Sequence, residues 1–299
     1  MRFKHFYELA EVYTLPINFL VYLMGYAFAK YQFNGHLSIA VVIGLVAISL
    51  FHSLVNTHNN YMDYQNALGD HYKNQTNVIG RENLSLSLIK KIMWGLAIAY
   101  LVLGIYLFSI GSWPIAVIGF FGTVIGLAYS SGPKPINSTF LAESLTATSM
   151  GFLTPLTAIY LASIGTADFT TGLFFKSLAA CLPLILISFT LLLANNTCDL
   201  EEDLENNRYT LVSYIGKENA VTLFNLVTVA LPIIIFILAI TKITPYLSLV
   251  TLLVFPLVYK MTKPYKAEQI KNKTFPIALK ALSLVIMVYS LSFYIGTFI

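Results

Sequence analysis

Long apolar runs separated by short polar segments dominate this chain. A membrane-spanning helix needs about 20 mainly apolar residues. Nine runs meet that length, centred near Val21, Gly44, Tyr100, Phe121, Gly151, Ile187, Ala230, Leu253 and Ile286. The breaks near Gly111-Ser112 and Lys242-Ile243-Thr244 are short enough to predict tight helical hairpins. Three connections are longer and more polar: Tyr64 to Ser87, Cys198 to Lys217 and Lys260 to Phe275. The pattern predicts an all-α integral membrane protein, a nine-transmembrane-helix bundle with a central cavity. No stretch reads as a linker, so residues 1–299 are expected to form a single membrane domain.

Composition supports this. Hydrophobic residues make up 57% of the chain and charged residues 11%, against about 25% charged in soluble domains. A water-soluble fold could not hide that much apolar surface, so lipid must cover part of it. The net charge of +4 is spread along the chain, and no basic stretch alternates with aromatics, so nucleic acid is not an expected partner. Cys181 and Cys198 are too few for a disulfide framework and lack metal-ligand spacing. The N-terminus lacks a small-residue cleavage site, so the first apolar run reads as a retained helix.

Charge also predicts orientation. With nine crossings, only Lys30, Lys176 and Lys242 of the 18 Lys and Arg residues fall on the face opposite the N-terminus, leaving 15 on the N-terminal face. Basic residues accumulate on the cytoplasmic side. The N-terminus and all three long polar loops are therefore expected there.

Two polar clusters stand out against this apolar background. The second run ends in Asn56-Thr57-His58-Asn59-Asn60-Tyr61-Met62-Asp63. On a helix, Asn56, Asn59, Asn60 and Asp63 share an arc of roughly 100°. Asp70 joins them if the helix continues. The sixth run ends in Asn195-Asn196-Thr197-Cys198-Asp199, followed by Asp203. Asn195, Asn196, Asp199 and Asp203 again share roughly 100° of arc. The pattern Asn-Asn-x-x-Asp thus occurs twice, on the same side, at the ends of two even-numbered helices.

Carboxylates and amide oxygens are hard ligands suited to Mg²⁺, which usually takes one or two carboxylates and leaves other positions to water and phosphate oxygens. Two such clusters facing a cavity could hold metal on either side of a diphosphate, with Lys73, Arg81, Lys134 and Arg208 in the adjoining loops. The bland alternative is helix-end polar residues wetted at the interface, since Asn and Asp favour helix ends. Two matching clusters favour function, because ionisable groups in a membrane bundle are costly. A transporter or lipid-phosphate binder would also use such clusters, but transporters commonly place inverted repeats around a midplane site. These two copies have the same orientation and lie at helix ends.

At these residues the chain resembles the UbiA superfamily of intramembrane prenyltransferases. Asn59-Asn60-Tyr61-Met62-Asp63 resembles the first aspartate-rich motif, and Asn195-Asn196-x-x-Asp199-x-x-x-Asp203 the second. Tyr129-Ser130-Ser131-Gly132-Pro133-x-Pro135, Leu141-Ala142-Glu143 with Gly151, and Thr14-Leu15-Pro16 with Gly25 resemble further family stretches, in order. The second motif followed by Thr210-Leu211, with the Tyr-Ser-Ser-Gly-Pro stretch, is most similar to 1,4-dihydroxy-2-naphthoate polyprenyltransferases. The resemblance implies Mg²⁺-assisted loss of diphosphate from a polyprenyl diphosphate. The ring of an aromatic acceptor then attacks the allylic cation, and its carboxyl group leaves as CO₂, in menaquinone biosynthesis. 4-Hydroxybenzoate and other phenolic or lipid acceptors are alternatives.

The resemblance implies catalytic roles for Asp63, Asp199 and Asp203, which with Asn59 are the expected metal ligands. Asn60, Arg81, Tyr129, Lys134, Asn195, Asn196 and Arg208 are the expected substrate contacts. Tyr129 could equally be an interfacial tyrosine, Lys134 a topology charge and Glu143 a structural carboxylate at a helix start. The chain departs from the pattern in three places. Glu11 stands where the family usually has arginine, Ala67 where the first motif continues with Gly or Asp, and Asn207-Arg208-Tyr209 has lost one basic residue.

Overall fold

The computed structural model describes residues 2–299. No strand occurs among them. A short helix α1 (Phe3–Leu9) precedes a reversal at Glu11, whose backbone is left-handed (φ 48°). A 3₁₀ turn then feeds α2 (Leu15–Phe33), where Pro16 sits in the first turn and costs no hydrogen bond. Asn34 closes α2 in the left-handed conformation that asparagine tolerates. Helix α3 (Ile39–Asn66) stops at Ala67, and a loop leads to α4 (Val78–Arg81), capped by the Asn77 side chain accepting from Ile79 N.

Helix α5 (Leu86–Ala128) has 43 residues. A straight helix of that length would measure about 65 Å, twice the roughly 30 Å hydrocarbon core. It breaks at Ser112 (φ 58°, ψ −159°). The Tyr100 and Thr123 hydroxyls lie 3.0 Å apart although 23 residues separate them. Its halves therefore run antiparallel, as the short break at Gly111-Ser112 predicts.

Helices α6 (Ala142–Thr148) and α7 (Thr154–Ser163) are joined by a wide π turn, Ser149–Leu153, into one bent span. Helix α8 (Thr171–Cys198) runs into the short α9 (Leu200–Glu205). Helix α10 (Leu211–Ile240) bends at Gly216. A 3₁₀ segment, Tyr246–Val254, continues into α11 (Phe255–Ala267), and α12 (Phe275–Gly296) follows. Among the described residues, eight helical stretches are long and apolar enough to cross a membrane. The fold-back within α5 makes nine crossings, matching the expectation from hydropathy.

Small residues let the central helices approach closely, the usual basis of packing where lipid removes the hydrophobic drive. A Cβ on Gly25 would strike the Pro155 backbone on α7, and one on Gly151 would strike the Ile185 backbone on α8. Between them Phe28, Ile159, Leu184, Ile187 and Tyr289 are fully enclosed. Trp94, Ile98, Leu101 and Ile105 on α5, and Leu226, Ile233 and Phe236 on α10, face outward. These exposed stripes are the surfaces lipid must cover.

Candidate active site where two helix ends meet

The polar ends of α3 and α8 open on the same side of the bundle and are tied by the loops around them. Leu68 N donates to the Asn206 Oδ1 at 3.2 Å, joining the loop after α3 to the one after α9. Arg208 reaches across and donates to Asp63 Oδ1, and the Tyr72 hydroxyl donates to Asp63 Oδ2 at 3.4 Å. On the other wall Lys271, from the α11–α12 loop, pairs with Asp199 and donates to Asn195 Oδ1 at 2.7 Å. The Asn195 amide in turn donates to Asp199 Oδ2 at 3.0 Å. The structure thus places Asp63 and Asp199 each beside a cation.

Asp63 and Asp203 are both 8% exposed. Asp203 has no side-chain ion pair among the described residues. Burial pushes its carboxyl up to about 7; Arg208 opposes the shift, while Asp199 adds to it. Tyr72 is raised above the usual phenol range by burial and then by Asp63. Tyr129, just beyond α5, is raised mainly by burial, with Asp63, Glu143 and Asp203 adding to the shift. Its hydroxyl therefore lies in the field of these carboxylates.

The other expected site residues distribute as follows. Asn59 accepts from the buried Ser130 hydroxyl. Asn196 donates to Glu143 Oε1 at 2.8 Å, bracing α8 against α6. Asn60 turns the other way and donates to Leu9 O at 3.1 Å, holding the end of α1. Arg81 pairs with Glu8 and Glu82 and is not brought into the cluster. Lys134 is exposed and makes no side-chain contact of this kind among the described residues. The helix that would carry Asp70 onto the cluster face ends at Asn66, so Asp70 is exposed beyond it. Sequence reasoning missed Lys271 and Tyr72. Lys271 is one of several lysines in a loop where charge also sets topology, and only contact with Asp199 distinguishes it.

Below the clusters lies a cavity of about 370 Å³. Its lining includes Glu11, Asn56, Asn59, Tyr129 and Asn195, and, among polar Asn18, His52 and Thr146, the apolar Ile48, Phe51, Ile125 and Leu192. Ser149 and Met150 reach it from the π turn, a local widening that re-aims side chains, and Thr154 from the start of α7. Asn59 and Asn195 each lie one helical turn before Asp63 and Asp199, so the cavity opens directly beneath the carboxylates.

Among the described residues no three His, Cys, Asp or Glu side chains converge as a closed metal cage. Mg²⁺ does not need one, since it commonly keeps one or two carboxylates and completes its shell with water and phosphate. Asp203, buried and without a cationic partner at bonding distance, and Asp63 and Asp199 across the mouth form a hard oxygen set of that kind. The residues present fit the ion.

Fold and site together define an intramembrane helical enzyme with paired carboxylate helix ends above an apolar cavity. The profile of the UbiA prenyltransferase family matches residues 18–294, and the chain belongs to that family. It is a prenyltransferase, which sets aside the transporter reading. It is 27% identical over 221 residues to 1,4-dihydroxy-2-naphthoate octaprenyltransferase of Bacillus subtilis (strain 168), covering 73% of this chain and 68% of that protein. Its fold is similar to an apo UbiA homologue from Aeropyrum pernix K1 (TM-score 0.68, 14% identity, 90% and 96% of the two chains). It is also similar to a UbiA homologue from Archaeoglobus fulgidus bound to GPP and Mg²⁺ (TM-score 0.59, 17% identity, 97% and 99%).

Proposed function

We propose that this protein transfers a polyprenyl group from polyprenyl diphosphate to 1,4-dihydroxy-2-naphthoate, with Mg²⁺ and loss of CO₂, in menaquinone biosynthesis. The whole chain, 1–299, acts as one domain, and the site opens to the cytoplasm. The observation that carries the reading is the meeting of the Asp63 and Asp199–Asp203 helix ends directly above an apolar cavity. The naphthoate relative supports the acceptor, and the charge distribution of the loops supports the orientation.

The reaction asks for three things. The allylic C–O bond must break with its electron pair leaving on the diphosphate. The ring carbon that bears the carboxylate must then form the new C–C bond. That carboxylate departs from the same carbon as CO₂, and the electron pair of the broken C–C bond restores aromaticity. Mg²⁺ held by Asp63, Asp199 and Asp203, with Asn59 in support, would neutralise charge developing on the diphosphate. Arg208 and Lys271 stand beside those carboxylates with donors for the diphosphate oxygens. Tyr129 at the mouth presents an aromatic face, which attracts a cation. The apolar walls keep out the water that would quench the cation.

Incubating purified protein with farnesyl diphosphate, Mg²⁺ and a panel of aromatic acids, followed by mass spectrometry, tests this. The expected product is a prenylated naphthalenediol lacking the mass of CO₂. A product formed only from 4-hydroxybenzoate would replace the acceptor, and no product from any acceptor would reject the reading.

A further inference from the structure

The cavity wall carries one formally charged side chain among its acidic and basic residues, Glu11. Its carboxylate makes no side-chain hydrogen bond or ion pair among the described residues. A carboxylate only accepts hydrogen bonds, so it needs a donor; Asn18 Nδ2 and Thr146 Oγ1, buried in the same wall, are likewise without a partner among the described residues. Thr14 Oγ1 lies 2.6 Å from both Glu11 O and His52 Nε2. Asn56 Nδ2 lies 3.0 Å from the same His52 nitrogen. None of these contacts reaches the Glu11 carboxylate, which lines the cavity.

The height of Glu11 in the bundle is fixed. Asn60 donates to Leu9 O at 3.1 Å and Asn56 to Ala10 O at 3.4 Å, so the Leu9–Glu11 segment lies against the last turns of α3. Glu11 therefore sits near the level of Asn56. Seven residues of helix, about 10 Å, separate Asn56 from Asp63. That interval leaves room for the allylic carbon beneath the diphosphate and one aromatic ring below it. Phe51, Val55, Ile125 and Leu192 supply the apolar walls that a flat ring prefers.

We infer that Glu11 accepts a hydrogen bond from a ring hydroxyl of the aromatic acceptor and so selects hydroxylated rings, presented hydroxyl-first. The inference rests on the prenyl-transfer reading above. A site built to receive a hydroxyl rejects an analogue lacking it, because the buried polar group is then left unpaired. Glu11 is a specificity-determining residue and is not required for the diphosphate to leave.

The test measures binding and turnover separately, on the full chain in detergent under anaerobic conditions. Calorimetry compares 1,4-dihydroxy-2-naphthoate with its 1,4-dimethoxy analogue on the unaltered protein and on Glu11→Leu, which has no hydrogen-bond acceptor. The unaltered protein is expected to prefer the dihydroxy compound by at least tenfold. Glu11→Leu should lose that preference while its KM for geranyl diphosphate stays within twofold. Equal binding of the two compounds by the unaltered protein overturns the proposal without any variant. So does undiminished preference in Glu11→Leu. A fall in acceptor-free diphosphate release with unchanged acceptor binding would also overturn it, placing Glu11 on the cation instead. Intact hydroxyl preference with no prenylated product would leave Glu11 as a hydroxyl site and reject the prenyl-transfer reading alone.

Discussion

The contact between Asp63 and Arg208 makes a quantitative demand on the metal-free protein. The Asp63 side chain is 10% exposed and the Arg208 side chain 24%. Two unit charges about 4 Å apart attract by about 4 kcal/mol at an effective dielectric near 20. Partial exposure of the guanidinium roughly halves this, to about 2 kcal/mol, between the values typical of surface pairs and of fully buried ones. Asp63→Asn keeps the shape and leaves Arg208 half-enclosed without its counter-charge. Arg208→Gln leaves Asp63 in the same position. Each single change should therefore lower stability by about 2 kcal/mol, and the double change by little more than either alone. Denaturation of all four proteins in detergent with EDTA measures the coupling. Additive losses would show that the pair contributes nothing, and the reasoning about the site's electrostatics would fail. Each single variant should also lose most prenyl transfer, because Asp63 and Arg208 both serve the diphosphate in the proposed reaction.

The remaining expectations concern separate parts of the site. Lys271→Ala should lower kcat/KM for prenyl diphosphate by about ten- to a hundredfold, the scale of a lost charged contact, while Lys273→Ala leaves it unchanged; equal effects would return Lys271 to a topology role. Gly151→Ala drives a Cβ into the Ile185 backbone and should destabilise by about 1–3 kcal/mol as an overpacked core does, whereas Gly95→Ala meets open space and should be neutral by the same denaturation assay. Asp203 holds its proton up to about pH 7 in the fold, above its unfolded value, so its contribution favours the metal-free fold at acid pH and is lost as pH rises through 7. Metal-free protein should accordingly melt lower at pH 8 than at pH 6 with Asp203 intact, the Asp203→Asn variant should lack that part of the slope, and Mg²⁺ should stabilise the unaltered protein more at pH 8; an identical pH slope in the variant would refute the assignment.

The crossings and their hairpin were legible because they rest on properties of runs of residues. Twenty apolar residues specify a span almost regardless of order, and a two-residue polar break leaves no length for anything but a fold-back. The two Asn-Asn-x-x-Asp ends were legible for a related reason, since helical phase depends only on spacing. Phase has a limited resolution, however. Within the arc of roughly 100° on α3, Asn59 and Asn60 lie at opposite edges. Asn59 meets Ser130 from the α5–α6 loop, while Asn60 meets the end of α1. Sharing a face did not mean sharing a partner, and only the packing of neighbours separates the two amides. The same limit applies to the cations. Arg81, Lys134, Arg208 and Lys271 are equivalent in sequence as basic residues in loops on one side. In the fold Arg208 and Lys271 reach carboxylates at the helix ends, Arg81 is held by Glu8 and Glu82, and Lys134 stays exposed. Which cation reaches the site is decided by where each loop closes over the bundle. The tie between Leu68 and Asn206 helps set that closure, and it joins residues 138 positions apart in the chain, beyond the reach of any local pattern.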